Sequence, residues 1–180
     1  MKTVDVVIPT WRPGESYDRL LEMLAKQTCP AHRIIVMNTE EAQYGIHAEP
    51  KGLEIHHIRK AEFDHGATRN AGLQLGDAEL VLFLTQDAVP ADEYLIERLA
   101  DCFADESVAA AYGRQLPAPD CNAIERYTRQ FNYPEKSMVK TAADLPKLGI
   151  KTYFCSDVCA MYRRSVYEKL GGFPLKTIFN

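Results

Sequence analysis

Apolar residues along this chain fall in short dense runs separated by polar loops. Val4 to Ile8 is a β-branched run, apolar on both faces and closed by Pro9, which predicts a buried strand. Glu15 to Gln27 carries Tyr17, Leu20, Leu21 and Leu24 at helical spacing, with Ser16 placed to cap the start. Arg33 to Met37 predicts a second strand and Leu53 to Ile58 a third, joined by a polar loop from Asn38 to Pro50. Phe63 to Gly66 reads as a turn, and Thr68 to Leu75 as a helix stopped by Gly76. Leu80 to Leu84 is the most hydrophobic strand and belongs at the sheet centre. Asp92 to Phe103 has the spacing of an amphipathic helix, and Val108 to Tyr112 that of a fifth strand. Strands alternating with helices imply parallel βαβ units in one doubly wound sheet.

After Gln115 the alternation stops. Pro117-Ala118-Pro119 reads as a crossing loop, Asn122 to Tyr133 as a helix, Tyr153 to Tyr162 as a strand, and Arg164 to Leu170 as a short helix ended by Gly171-Gly172. The chain therefore divides into an α/β half, 1–115, and a second region, 116–180. Ligands of such sheets bind beyond the C-terminal strand ends. That rule selects Pro9-Thr10, Asn38 to Glu41, the turn before Arg69, and Thr85 to Ala88.

Composition narrows the classes. The 180 residues suit one domain, and 46% hydrophobic with 26% charged residues is an ordinary globular mixture. A formal net charge of -4 argues against nucleic acid as the partner. No apolar run approaches the roughly 18–20 residues of a membrane span, and the N-terminus lacks a signal-peptide pattern. The five cysteines are dispersed and odd in number, which predicts buried free thiols in a reducing compartment.

Thr85-Gln86-Asp87 is the sharpest chemical feature. Asp87 follows the central strand, where a carboxylate can hold a divalent cation that bridges phosphate oxygens. The competing local role is a cap for a helix beginning near Pro90. In Phe63 to Asn70, Gly66 permits a tight turn, and Arg69 lies where a diphosphate at a helix N-terminus would meet it. Asp64 and His65 read as turn and cap residues before ligands. His56 and His57 alternate across a strand and cannot share a metal. Cys155 and Cys159, if both in a strand, stand roughly 13 Å apart and read as core positions. The dinucleotide and P-loop glycine motifs are absent.

Taken in order, Val6 to Thr10, His65 to Gly72, Phe83 to Ala88, Gly113-Arg114-Gln115, and Arg163 through Pro174 resemble the family 2 glycosyltransferases. The Thr-Gln-Asp-Ala form and the Gly-Arg-Gln triplet look closest to bacterial rhamnosyltransferases. The resemblance implies a Rossmann-like GT-A α/β fold, with a mostly parallel central sheet and helices on both faces. It implies an inverting, metal-assisted transfer of a sugar from a dTDP- or UDP-linked donor to a glycan or lipid-linked glycan acceptor. The cation is expected to be Mg²⁺ or Mn²⁺, held by Asp87. Donor contacts are expected from Pro9, Thr10, Glu40, Arg69, Thr85, Gln86 and Asp87. On this view 1–115 binds the donor and 116–180 begins the acceptor side. The expected location is the cytoplasm, with peripheral binding at the inner membrane face and homo-oligomer formation left open.

The sequence departs from the family pattern at two places. Thr85 stands where the first aspartate of the Asp-x-Asp site is usual, and Asn38-Thr39-Glu40 replaces the acidic signature after the second strand. The family's general base is expected in an acidic pair beyond Gly171 to Pro174, and Leu175 to Asn180 contains no acid. Asp157 is the stand-in within the chain, and the expectation is donor binding with little turnover. A catalytically silent nucleotide-sugar-binding module is the first alternative. A nucleotidyltransferase is the second, although Pro9 to Gly14 matches its phosphate loop poorly.

Overall fold

The computed structural model describes residues 2–40, 50–118 and 120–176. Most of the predicted Asn38–Pro50 loop, Glu41 included, lies outside the described residues, as do Pro119 and 177–180. Six strands form one sheet in the order β3-β2-β1-β4-β6-β5. They are β1 Val4–Trp11, β2 Arg33–Thr39, β3 Leu53–Ile58, β4 Leu80–Leu84, β5 Ala110–Tyr112 and β6 Cys159–Arg163. The first four run parallel to one another. β6 is antiparallel both to β4 and to β5, so it is the one reversed strand of a mostly parallel sheet.

Alternation along the strands sorts the core into two layers. Val4, Val6 and Ile8 face one side with Ile34, Val36, Leu80, Leu82 and Leu84. Against them pack α1 (Glu15–Ala25), through Tyr17, Leu20, Leu21 and Leu24, and α3 (Leu95–Asp101), through Ile96 and Leu99. Val7, Ile35, Met37, Val81 and Phe83 face the other side. There they meet Leu73 of α2 (His65–Leu75) and Tyr167 of α6 (Arg164–Lys169). Every side chain of β4 is buried, as a strand with two covered faces requires. Burial pushes the Tyr17 phenol up to about 12.

Several boundaries differ from the sequence expectation, each for a local reason. β1 does not stop at Pro9 but continues to Trp11. Its pairing with β4 covers only Val4 to Val7, so Pro9 sits where one side of β1 has no ladder to break. α1 begins without help from Ser16, which lies inside the helix after the N-cap Gly14. α2 starts at His65 because Asp64 is its N-cap, accepting from the Ala67 amide at 2.8 Å. Gly66 is therefore helical, not a turn residue. A Cβ there would lie 2.2 Å from the Pro174 carbonyl oxygen, so close backbone approach explains the glycine. α3 starts late because the Asp92 carboxylate accepts from the Tyr94 amide in a local turn.

The expected strand from Tyr153 is shortened to β6, since 149–153 forms a 3-10 turn. Cys155 consequently precedes the strand and does not share its face with Cys159. All five cysteines are free thiols, but only Cys29 and Cys159 are buried, and Cys102 is exposed at the end of α3. The compact units are 1–112 with 156–180, and 113–155. After 113–155, β6 returns the chain to the sheet. Within 113–155, α4 (Ala123–Asn132) is capped by the Asn122 side chain and α5 spans Leu145–Leu148.

Candidate functional site

The C-terminal ends of β1, β2 and β4 meet on one rim. Parallel register sets Thr10 beside Asn38 and Trp11 beside Thr39. The Thr10 hydroxyl donates to Asn38 Oδ1 at 2.9 Å, and Asn38 Nδ2 donates to the Glu40 carbonyl at 2.6 Å. Gln86, just past β4, fixes the backbone of Trp11 from both sides. Its Oε1 accepts the Trp11 amide at 2.8 Å, and its Nε2 donates to the Trp11 carbonyl at 3.3 Å. The indole stays 47% exposed, with the Lys60 ammonium 5.2 Å from its ring centre. The Arg12 guanidinium also lies 5.2 Å from that ring centre, so two cations flank the indole at the rim.

Below it opens a cavity of about 430 Å³, within the usual range for small-molecule sites. The β-strand ends supply Pro9, Thr10, Trp11 and Thr39 to its wall, and the loop after β4 supplies Thr85 and Gln86. Lys60, Phe63, His65 and Arg69 close the side toward α2. Two of these residues carry a buried polar atom with no partner among the described residues, Thr39 Oγ1 and Arg69 Nε. The Arg69 side chain is only 5% exposed. Its Nη1 donates to the His65 carbonyl at 3.0 Å and its Nη2 meets Asp157 Oδ2 at 3.1 Å. Burial works to lower its pKa, and the Asp157 carboxylate works the other way.

The structure places Pro9, Thr10, Arg69, Thr85 and Gln86 around one cavity, and sets Glu40 and Asp87 beside it. Glu40 has its carboxylate engaged by the Trp11 indole N–H at 3.3 Å, with Arg12 at 3.8 Å. Asp87 is exposed, and its Oδ1 accepts from the Thr85 hydroxyl at 2.7 Å. It caps no helix, since α3 begins only at Leu95. Its Oδ2 takes no hydrogen bond from the described residues, so that oxygen is open to a ligand. One carboxylate suits a hard cation that draws its other ligands from water and phosphate oxygens. Among the described residues, a separate grouping of Asp5, His32 and Asp77 also has metal-binding spacing. It lies at the opposite, N-terminal end of β1, where Asp5 is already held by Arg164 and the Ala78 amide. Trp11 and Lys60 were not singled out by sequence. The one available signal was the single tryptophan, next to Thr10.

The profile of glycosyl transferase family 2 matches residues 5–171. The chain belongs to this family. The O-antigen chain rhamnosyltransferase RfbN of Salmonella typhimurium is 40% identical over 178 residues, covering 97% of this chain and 57% of the relative. The O-antigen chain rhamnosyltransferase WbaN of Salmonella anatum is 36% identical over 183 residues, covering 99% and 58%. The chain thus spans a little over half the length of these curated relatives. Among solved structures, the mannosyltransferase PcManGT from Pyrobaculum calidifontis, in complex with GDP-Man and Mn²⁺, aligns with a TM-score of 0.63 at 19% identity. That alignment covers 96% of this chain and 48% of the other. The family 2 chain has the GT-A α/β fold that the sequence implied, and none of its helices among the described residues is long and apolar enough to cross a membrane.

Proposed function

We propose that this chain is the donor-binding part of an inverting glycosyltransferase that moves a sugar, rhamnose by its relatives' names, from a dTDP- or UDP-linked donor. The acceptor is a hydroxyl of a glycan or lipid-linked glycan, and the protein acts in the cytoplasm. The observation that carries this reading is the rim cavity, where the strand-end residues Pro9, Thr10, Thr85 and Gln86 meet Arg69 and Lys60. A concave site at the C-terminal strand ends, with a few polar and cationic groups, suits a nucleoside diphosphate.

In this reading the nucleobase and ribose lie against Trp11, Pro9 and Thr10, with Gln86 holding the Trp11 backbone in place. Arg69 and Lys60 meet the diphosphate. Asp87 is the residue that would hold Mg²⁺ or Mn²⁺, which offsets charge on a departing nucleoside diphosphate when bound. Thr85, hydrogen-bonded to Asp87, orients that carboxylate in place of the usual first aspartate. Asp157 has its Oδ2 committed to Arg69, so in this reading it serves the donor side.

Calorimetric titration with dTDP and UDP, with and without Mg²⁺ or Mn²⁺, tests the proposal. The wild type should bind a nucleoside diphosphate more tightly with cation. Asp87→Asn should remove the cation-dependent gain and leave cation-free binding near wild type. Identical metal dependence in the two proteins would end the role of Asp87, and no diphosphate binding at all would end the donor-site reading.

A further inference from the structure

We infer that Asp157 is a positioning residue of the donor site, a fixed counter-ion that aims the Arg69 guanidinium at the diphosphate. This rests on the reading of the cavity as a nucleoside-diphosphate site. Asp157 is carried to the rim by the start of β6. The next residue, Val158, accepts the Thr85 amide at 3.1 Å, and Cys159 pairs with Leu84. The same rim therefore presents Thr85 and Asp157 side by side, one on each of two antiparallel neighbours. Asp157 meets Arg69 there, across the cavity wall from α2.

The guanidinium has five N–H donors in a rigid plane. One of its ends is tied to the His65 carbonyl on its own helix and the other to Asp157. These two contacts fix the plane, and Nη1 and Nη2 each keep a second N–H, on a residue that lines the cavity. A guanidinium held this way is preorganised, so a phosphate oxygen meets a donor that need not be reoriented. The carboxylate also makes it tolerable to keep a side chain this buried charged before any ligand arrives.

Comparing dTDP with thymidine isolates the diphosphate, because the two share base and sugar. Calorimetry on wild type, Asp157→Asn, Asp157→Glu, Arg69→Gln and the Arg69→Gln/Asp157→Asn double variant gives the ratio of thymidine to dTDP dissociation constants. Asp157→Asn should lower this ratio roughly tenfold, the loss expected from misaiming one charge-assisted contact. Thymidine affinity itself should stay at the wild-type value, and Asp157→Glu should restore most of the ratio. The double variant should match Arg69→Gln alone, which decides the matter even if Asp157→Asn does not fold. An unchanged or raised ratio in Asp157→Asn would overturn the inference while leaving the donor-site reading intact. So would equal weakening of thymidine and dTDP, or a further drop in the double variant. A wild type that prefers dTDP no more than thymidine would remove both.

Discussion

At the residue scale, the segment after α6 is held by single side chains. Asn70 Oδ1 accepts the Tyr167 hydroxyl at 2.6 Å and the Phe173 amide at 3.0 Å, while its Nδ2 donates to the Phe173 carbonyl at 3.0 Å. Gly172 has φ of +74, and a Cβ on it would lie 2.6 Å from Asn70 Oδ1. Gly172→Ala should therefore cost about 1–3 kcal/mol, from backbone strain and displacement of Asn70; urea unfolding that gives wild-type stability would contradict this. Asp64 offers a pH test. The Ala67 amide it accepts at the α2 terminus, with help from the Lys176 and Gly66 amides, holds its carboxyl below the ordinary 3.8. A depressed carboxyl contributes stability above its unfolded value and loses it as pH falls through the folded one. Asp64→Asn keeps the capping oxygen but not the charge. Its melting temperature should lie below wild type at neutral pH, and the gap should narrow as pH falls below 3.8 and on through the folded value. A gap that stays constant across that range would rule the charge out.

At the scale of elements, β6 and α6 are fastened to the parallel part of the sheet by one partly buried arginine. Arg164 Nη2 pairs with the fully buried Asp5 of β1 at 3.0 Å. Its Nε donates to the Ala78 carbonyl at 2.6 Å and its Nη1 to the Leu73 carbonyl at 2.8 Å. Four elements, β1, α2, β4 and α6, meet at this side chain or directly beside it. Arg164→Ala leaves Asp5 buried and unpaired, so we expect a loss of about 3–5 kcal/mol. Pairing the change with Asp5→Asn should recover part of it. Thermal or urea unfolding measures both, and a single variant as stable as wild type would show the pair to be dispensable.

At the scale of the whole molecule, burial is uneven. β1 and β4 are almost wholly buried, whereas α4 contributes no buried residue, and its Ile124, Tyr127 and Phe131 are more than half exposed. Local opening is easiest where few apolar side chains are removed from water. Native-state hydrogen exchange should therefore find the α4 amides exchanging well before those of β1 and β4, with β4 close to the global unfolding limit. Equal protection of α4 and β4 would show that 113–155 is stabilised by something other than its own packing.

The sequence by itself determined the architecture. The β-branched runs, helical spacings and loop residues are local signals, and they located β3 and β4 to the residue and the parallel βα order that put Thr10 and Thr85 on one rim. It also carried the family, because motif order is a property of the chain. Tertiary structure alone decided the rest. The reversal of β6 between β4 and β5 depends on pairing partners far apart in sequence, which hydrophobic periodicity does not encode. Pro9 within a strand was legible only once the reach of β4 was known. Trp11 and Lys60 reach the cavity wall through the register of β1 on β2 and the approach of α2. The pairing of Asp157 with Arg69 joins two segments that no local pattern connects, and it exists because burying a guanidinium requires a nearby counter-charge.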